Sequence, residues 1–163
     1  MPEWESELNE PSRHLLAALR QRASLIERAS MRAEPDLLGG TSVVIKLPSP
    51  TGDPHRDLGL WLDEKTVPSI EFGAWHGHAD LFDPDPVTAL QMLLDYAELI
   101  IDGRIALLDV RDADGWPYTV LDTRSPDDVL DELSFPGSPD ELRLLSWSGS
   151  QDSVIDLDSR RPA

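Results

Sequence analysis

Two stretches of the chain place apolar residues at the three- and four-residue spacing that is typical of one buried helix face. The first stretch follows Pro11 and Ser12, and Ser12 suits the N-cap position of a helix. We expect this helix to run to about Met31. Its apolar stripe consists of Leu15, Leu16, Leu19, Ala23 and Ile26.

The second helix has clear signals at both ends. Asp85 suits its N-cap, Pro86 its first position, and Gly103 the left-handed conformation that closes a helix. The residues of its broad apolar face are Val87, Leu90, Leu93, Leu94, Ala97 and Ile101. This face must pack on a sheet or on the first helix.

Short segments rich in β-branched or alternating apolar residues predict strands. These segments are residues 41–48, 57–64, 67–76, 104–112, 118–123, 141–150 and 152–158. The turn formers of residues 48–57 predict a loop, and further turns are expected at Asp114–Gly115 and around Gly149. A short helix is predicted at residues 125–133. Strand pairs joined by short turns favour an α+β fold, in which an N-terminal helix and a central helix pack on one face of an antiparallel sheet.

Size and composition predict a single domain over residues 1–163, with residues 1–11 and 159–163 loose. Hydrophobic residues make up 40% of the 163 residues, which is enough for a core, and there are no cysteines, so disulfides and thiolate chemistry are excluded. The acidic, polar N-terminus lacks the features of a secretory signal, and no run of about 18 apolar residues occurs. A cytoplasmic protein is the expectation.

The charge of the chain is its most unusual global property. It carries 31 acidic and 14 basic residues, for a formal net charge of -17. Residues 1–33 hold five of each sign, so the whole excess comes from residues 34–163. Such a field repels nucleic acid and anionic membranes and speeds encounter with a basic protein. Solubility alone is the alternative interpretation of the same charge.

The segment EFGAWHGHAD, residues 71–80, holds the candidate chemistry. If the strand continued to residue 80, His76, His78 and Asp80 would lie on one face, as a metal site requires. Two histidines are a weak signal on their own, and we predict neither a metal nor another cofactor. The alternative is that both histidines hydrogen-bond to loop carbonyls, while Trp75 packs in the core with Trp147. The remainder of the chain suggests no catalytic residues.

Residues 67–152 resemble small bacterial immunity proteins of polymorphic-toxin and contact-dependent inhibition systems. The resemblance lies in a Trp-His-x-His-x-Asp element ending at Asp80, placed before a helix, and in a Ser-Trp-x-Gly element, residues 146–149. It implies a protein that binds and neutralises a cognate toxin, for example a nuclease with a basic cleft, and that is not an enzyme. The candidate contact residues are Trp75, His76, His78, Asp80, Asp83 and Asp85.

Two other functions stay open at this point. One is a small metal-dependent enzyme that uses His76, His78 and Asp80. The other is an acidic adaptor for a basic partner unrelated to toxins. The sequence does not indicate an oligomeric state.

Overall fold

The structure, a computed structural model, describes residues 3–36, 40–63, 67–111, 117–122 and 141–156. Its contacts divide the chain into two compact units, an N-terminal unit, Met1–Glu98, and a C-terminal unit, Leu99–Ala163. The α+β class with antiparallel sheets and helices is confirmed. The expectation of a single domain stays a prediction.

The N-terminal unit is built on a five-stranded antiparallel meander, in which each strand pairs with the next. Its strands are β1 Ser30–Pro35, β2 Thr41–Leu47, β3 Leu58–Leu62, β4 Pro68–Phe72 and β5 Trp75–His78. Its helices are α1 Glu10–Leu19, the short α2 Ala23–Ile26 and the start of α3 Pro86–Ile101. Single 3-10 turns cover Glu3–Glu7, Pro54–Arg56 and Ala79–Leu81.

One face of this sheet is buried, because every second residue of its inner strands is apolar. The buried residues of that face are Val43, Ile45, Leu47, Leu58, Leu60, Ile70 and Phe72, each at most 1% exposed. Helix α1 lies against β2 and contributes Leu15, Leu16 and Leu19 to the core. Ser12 joins the two elements, since its buried hydroxyl accepts a hydrogen bond of 3.0 Å from the Val43 amide.

The expectation of one long first helix was wrong. Helix α1 ends at Leu19, and the Arg22 backbone is not helical (φ -111°, ψ 89°) before α2 begins. The Arg22 guanidinium is held at this break by Asp95 at 2.6 Å and Glu98 at 2.8 Å, both on α3. The apolar spacing continues across the break into α2, so the sequence pattern did not reveal it. Residues beyond α2 form the edge strand β1 instead of helix.

The start of the chain also differs from expectation. Asn9, not Ser12, caps α1, with its Oδ1 accepting from the Ser12 amide at 2.9 Å. Of residues 1–11, which were expected to be loose, Leu8 is only 2% exposed and Glu5 pairs with Arg20 at 2.6 Å. Ser12 lies inside α1, and its hydroxyl accepts the hydrogen bond from the Val43 amide of β2.

Helix α3 begins and ends as predicted. Asp85 Oδ2 accepts from the Thr88 amide at 2.9 Å, Pro86 is the first helical residue, and Gly103 takes a positive φ of 69°. None of the helices in the described part of the chain is long and apolar enough to cross a membrane.

The C-terminal unit contains a four-stranded antiparallel sheet of order β7-β6-β8-β9. Its strands are β6 Ala106–Arg111, β7 Pro117–Asp122, β8 Glu141–Leu145 and β9 Ser153–Asp156. Strands β8 and β9 form the expected final hairpin, and Gly149 in its turn has a φ of 74°. The predicted turn at Asp114–Gly115, the predicted helix 125–133 and residues 159–163 lie outside the described residues.

We predict that Ser12→Ala lowers the free energy of unfolding by about 1–3 kcal/mol, because it leaves the buried Val43 amide without its acceptor. Urea denaturation followed by circular dichroism measures the change. Ser6→Ala is the matched control, since the Ser6 hydroxyl is exposed and bonds only to a neighbouring carbonyl. Equal losses for both variants would contradict the assigned role of Ser12.

Candidate functional site

The segment that contains the two histidines is a hairpin and not one strand. Gly73, with φ 61°, turns the chain between β4 and β5. The hairpin pairs Glu71 with His76 and Ser69 with His78 on one face, and Ile70 with Gly77 on the other. The predicted strand 67–76 is thus two strands, and the continuation to residue 80, on which the metal geometry depended, does not occur, because Asp80 lies in the 3-10 turn Ala79–Leu81 that follows β5.

His76 and His78 project from the same face of the edge strand β5, with ring centroids 5.4 Å apart and planes at 78°. His78 Nδ1 lies 2.8 Å from Ser69 Oγ. The Ser69 hydroxyl also donates to the Val67 carbonyl at 3.1 Å, and His78 Nδ1 lies 3.4 Å from Asp63 Oδ2. Among the described residues the neighbours of this nitrogen are therefore a hydroxyl and a carboxylate, and none of them is a loop carbonyl.

Trp75 is half-buried on the opposite face of β5, where its indole lies over Gly77. A Cβ atom at Gly77 would be 2.9 Å from Trp75 Cη2, closer than carbon atoms approach. Glycine at this position avoids that overlap and lets the indole approach the backbone of β5 closely. Trp147, in the C-terminal unit, is only 7% exposed and is a core residue, while the expected packing of Trp75 with Trp147 stays a prediction.

The three candidate aspartates lie around the start of α3. Asp80 and Asp83 line an apolar hollow of about 620 Å³ between α1 and the first turn of α3, walled by prolines and alanines. Asp85 serves as the helix cap. The six candidate residues therefore lie in three places. His76 and His78 are on one face of β5, Trp75 is on its other face, and the three aspartates are around the start of α3.

No group of three or more histidine, aspartate or glutamate side chains placed to hold a metal ion occurs among the described residues. His76, His78 and Asp80 in particular do not form such a group. Asp80 does not lie beside the two histidines, because the strand ends at His78 and a 3-10 turn begins at Ala79, which is 2% exposed.

A larger feature lies on the face of the five-stranded sheet that points away from the core. We call this face the open face. Its side chains line a concave depression of about 790 Å³ that runs across β1 to β4, here called the trough. Val44, Gly59 and Trp61 are half-buried members of the lining. The charged residues of the lining, among the described residues, are five carboxylates and two cations. The carboxylates are Glu34, Asp36, Asp57, Asp63 and Glu71, and the cations are Arg32 and Lys46.

Both trough cations are already paired. Arg32 lies 2.7 Å from Glu34, and Lys46 Nζ lies 2.6 Å from Asp57 Oδ2. Exposed pairs of this kind contribute little to stability, but they neutralise both cations locally. The trough therefore keeps an excess of negative charge.

Most trough carboxylates are also fixed by hydrogen bonds to the fold. Asp57 Oδ1 accepts from the Ser49 amide at 2.8 Å, and Asp63 Oδ1 accepts from the Val67 amide at 2.9 Å. Asp36 accepts from Asn9 Nδ2 at 2.6 Å and from Ser42 Oγ at 2.5 Å. These bonds hold the negative charge in fixed positions.

Glu71 differs from the other four carboxylates. It is exposed, and no residue in the described ranges forms a hydrogen bond or ion pair with it. Its side chain lies across Gly59, where an added Cβ would be 3.2 Å from Glu71 Cγ and 3.5 Å from Oε1. The absence of a side chain at Gly59 thus lets the Glu71 carboxylate lie low over β3.

The trough residues were not among the residues predicted from the sequence, although the pattern that identifies them was present. Lys46, Gly59, Trp61 and Glu71 are the alternate positions between the buried apolar residues of β2, β3 and β4. Period-two alternation identifies them as one face once the strand order is known. The strand order itself could not be read from the sequence.

Comparisons with known proteins add no relatives. No family model, no curated protein and no solved structure matches the chain.

We predict that Gly77→Ala lowers the free energy of unfolding by about 1–3 kcal/mol, because its Cβ overlaps the Trp75 indole. Chemical denaturation measures the loss. Gly59→Ala is the matched strand control and should cost less, since its Cβ meets only the flexible Glu71 side chain. Combining Gly77→Ala with Trp75→Leu should recover part of the loss, and a purely additive double variant would contradict the overlap.

Asp85 predicts a pH dependence of stability. Hydrogen bonds from the Thr88 amide and then the Thr88 hydroxyl hold the pKa of this carboxyl below its ordinary 3.8. The folded protein therefore gains stability from Asp85 above about pH 4, and loses it as the pH falls through the lowered pKa. The melting temperature of the wild type should exceed that of Asp85→Asn at neutral pH, and this difference should disappear between about pH 5 and pH 2.

The control for this titration is Asp80→Asn, because Asp80 accepts no hydrogen bond from the described residues. Its melting temperature relative to the wild type should change less over the same pH range. An Asp85→Asn difference that does not vary with pH would contradict the capping argument.

Proposed function

We propose that this chain is a binding protein for a basic protein partner, and specifically an immunity protein that neutralises a cognate bacterial toxin. The observation that carries the proposal is the trough, where carboxylates outnumber cations five to two and both cations are paired. The resemblance of residues 67–152 to immunity proteins supports the choice of a toxin as partner.

The charge of the chain supports the same function. A net charge of -17 accelerates association with a basic surface and makes the rate fall with added salt. A toxin that acts on nucleic acid presents such a surface in its substrate cleft, since the cleft must hold phosphates. An acidic protein that covers the cleft would block the substrate without any chemistry of its own.

The rigidity of the trough supports tight binding. Its floor belongs to strands whose opposite side chains are fully buried, and three of its carboxylates are oriented by hydrogen bonds. A surface already held in its binding geometry loses little conformational entropy on association. An inhibitor that must protect its producer needs this property more than it needs a large contact area.

The metal-dependent alternative receives no support from the described residues, because His76, His78 and Asp80 are not gathered around a common point. The adaptor alternative shares the trough and differs only in the partner. The gene neighbourhood separates the two, since an immunity gene is expected directly downstream of a large toxin gene.

The test is copurification of the full chain with the C-terminal domain encoded by the upstream gene. Glu34→Gln with Glu71→Gln should slow association on the order of tenfold at low salt, because both charges line the trough. Surface plasmon resonance at two salt concentrations measures the rate.

The matched control is Asp80→Asn with Asp83→Asn, which removes the same charge from the hollow beside α3. It should change the rate much less. If this control slows association more than the trough variant does, the contact lies at the start of α3, around Asp80 and Asp83. If the wild type does not bind the toxin domain, the immunity function is overturned.

A further inference from the structure

We propose that the part of the trough formed by Glu71, Gly59 and Trp61 binds an arginine side chain of the partner, and prefers it to lysine. This inference rests on the proposed function, and it names the chemical group that the trough selects.

The first support is the position of Glu71. Its carboxylate lies low over Gly59 in the trough and is the one trough carboxylate without a partner among the described residues. The two trough cations do not compensate it, since Arg32 pairs with Glu34 and Lys46 with Asp57. His76 is the cross-strand neighbour of Glu71 on the same face, but the two form no ion pair among the described residues. The carboxylate is therefore complementary to a cation from another molecule.

The second support is Trp61, which is independent of the acidic charge. Trp61 lies on the same face of β3 as Gly59, two residues along, and is half-buried in the trough lining. It pairs across the strands with Ser69, while Gly59 pairs with Glu71, so Trp61 and Glu71 are diagonal neighbours on one face. Diagonal neighbours on adjacent strands lie within reach of aromatic and long side chains.

The combination of an aromatic ring and a carboxylate favours arginine. A guanidinium stacks on an indole face and at the same time donates two parallel hydrogen bonds to one carboxylate. A lysine ammonium is a compact, strongly hydrated point charge and makes neither the stacked nor the forked contact. A trough that acted through net charge alone would not distinguish the two.

Gly59 has no side chain, so the Glu71 side chain lies directly over β3 at this point of the trough, and the neighbours of Gly59 across β2 and β4 are Lys46 and Glu71. Lys46 is paired with Asp57, so it does not occupy the Glu71 side of Gly59, where the arginine of the partner would bind.

The experiment measures binding of two labelled peptides of equal length and charge, one with arginines and one with lysines separated by Gly and Ser. Fluorescence anisotropy at low salt gives both dissociation constants for the full chain. The wild type should bind the arginine peptide about fivefold or more tightly. Glu71→Gln and Trp61→Leu should each remove this preference.

The matched controls are Glu27→Gln, an exposed glutamate after α2, and Trp4→Leu, a half-buried tryptophan in the first 3-10 turn. Both should keep the arginine preference. Circular dichroism checks the fold of each variant. Glu71→Gln decides the outcome if Trp61→Leu does not fold, because Glu71 is exposed and supports no other residue in the described ranges.

The outcomes separate this inference from the proposed function. Equal affinity of the wild type for both peptides, or an arginine preference that survives Glu71→Gln, overturns the arginine site. Binding of neither peptide by a protein that still captures the toxin domain also overturns it, while the proposed function stands. Failure to capture the toxin domain overturns the proposed function, whatever the peptides do.

Discussion

The one-sided burial of the five-stranded sheet is the constraint on which the rest of the N-terminal unit depends. Alternate residues of β2, β3 and β4 are removed from water almost completely, at an average gain of about 25 cal/mol per Å² of apolar surface. Strict alternation then places the intervening residues on the open face. Lys46, Gly59, Trp61 and Glu71 are therefore fixed in their positions by the core behind them, and a one-residue slip of register would destroy core and trough together.

The acidic residues of the N-terminal unit divide by what their oxygens accept. Asp85 caps α3, Asp57 and Asp63 hold backbone amides of loops, and Glu98 holds the Arg22 break. These carboxylates have structural partners, so their number alone does not indicate a binding surface. Glu71 has no such partner among the described residues. Because most carboxylates have structural partners, a count of charges in the sequence predicts a basic partner but does not indicate which carboxylates are available to bind one.

The sequence predicted the elements with strong local signals and missed those set by long-range contacts. Asp85, Pro86 and Gly103 bounded α3 correctly, because capping is a property of a few adjacent residues. The break at Arg22 depends on α3, about 70 residues away, and the use of Ser12 depends on β2. The candidate patch is dispersed because strand alternation places Trp75 on the face opposite the two histidines, and the departure of the chain at Ala79 takes Asp80 off the strand.

A field from a net charge of -17 attracts any basic molecule, so discrimination between basic partners must come from contacts at short range. Screening limits the field to about 8 Å at physiological salt, which is shorter than the trough is long across four strands spaced about 4.8 Å apart. Within that distance the shape of the lining would decide which cation the proposed site accepts. An aromatic ring beside an uncompensated carboxylate is the part of the trough that differs from a uniformly acidic surface, and selectivity would therefore be located there.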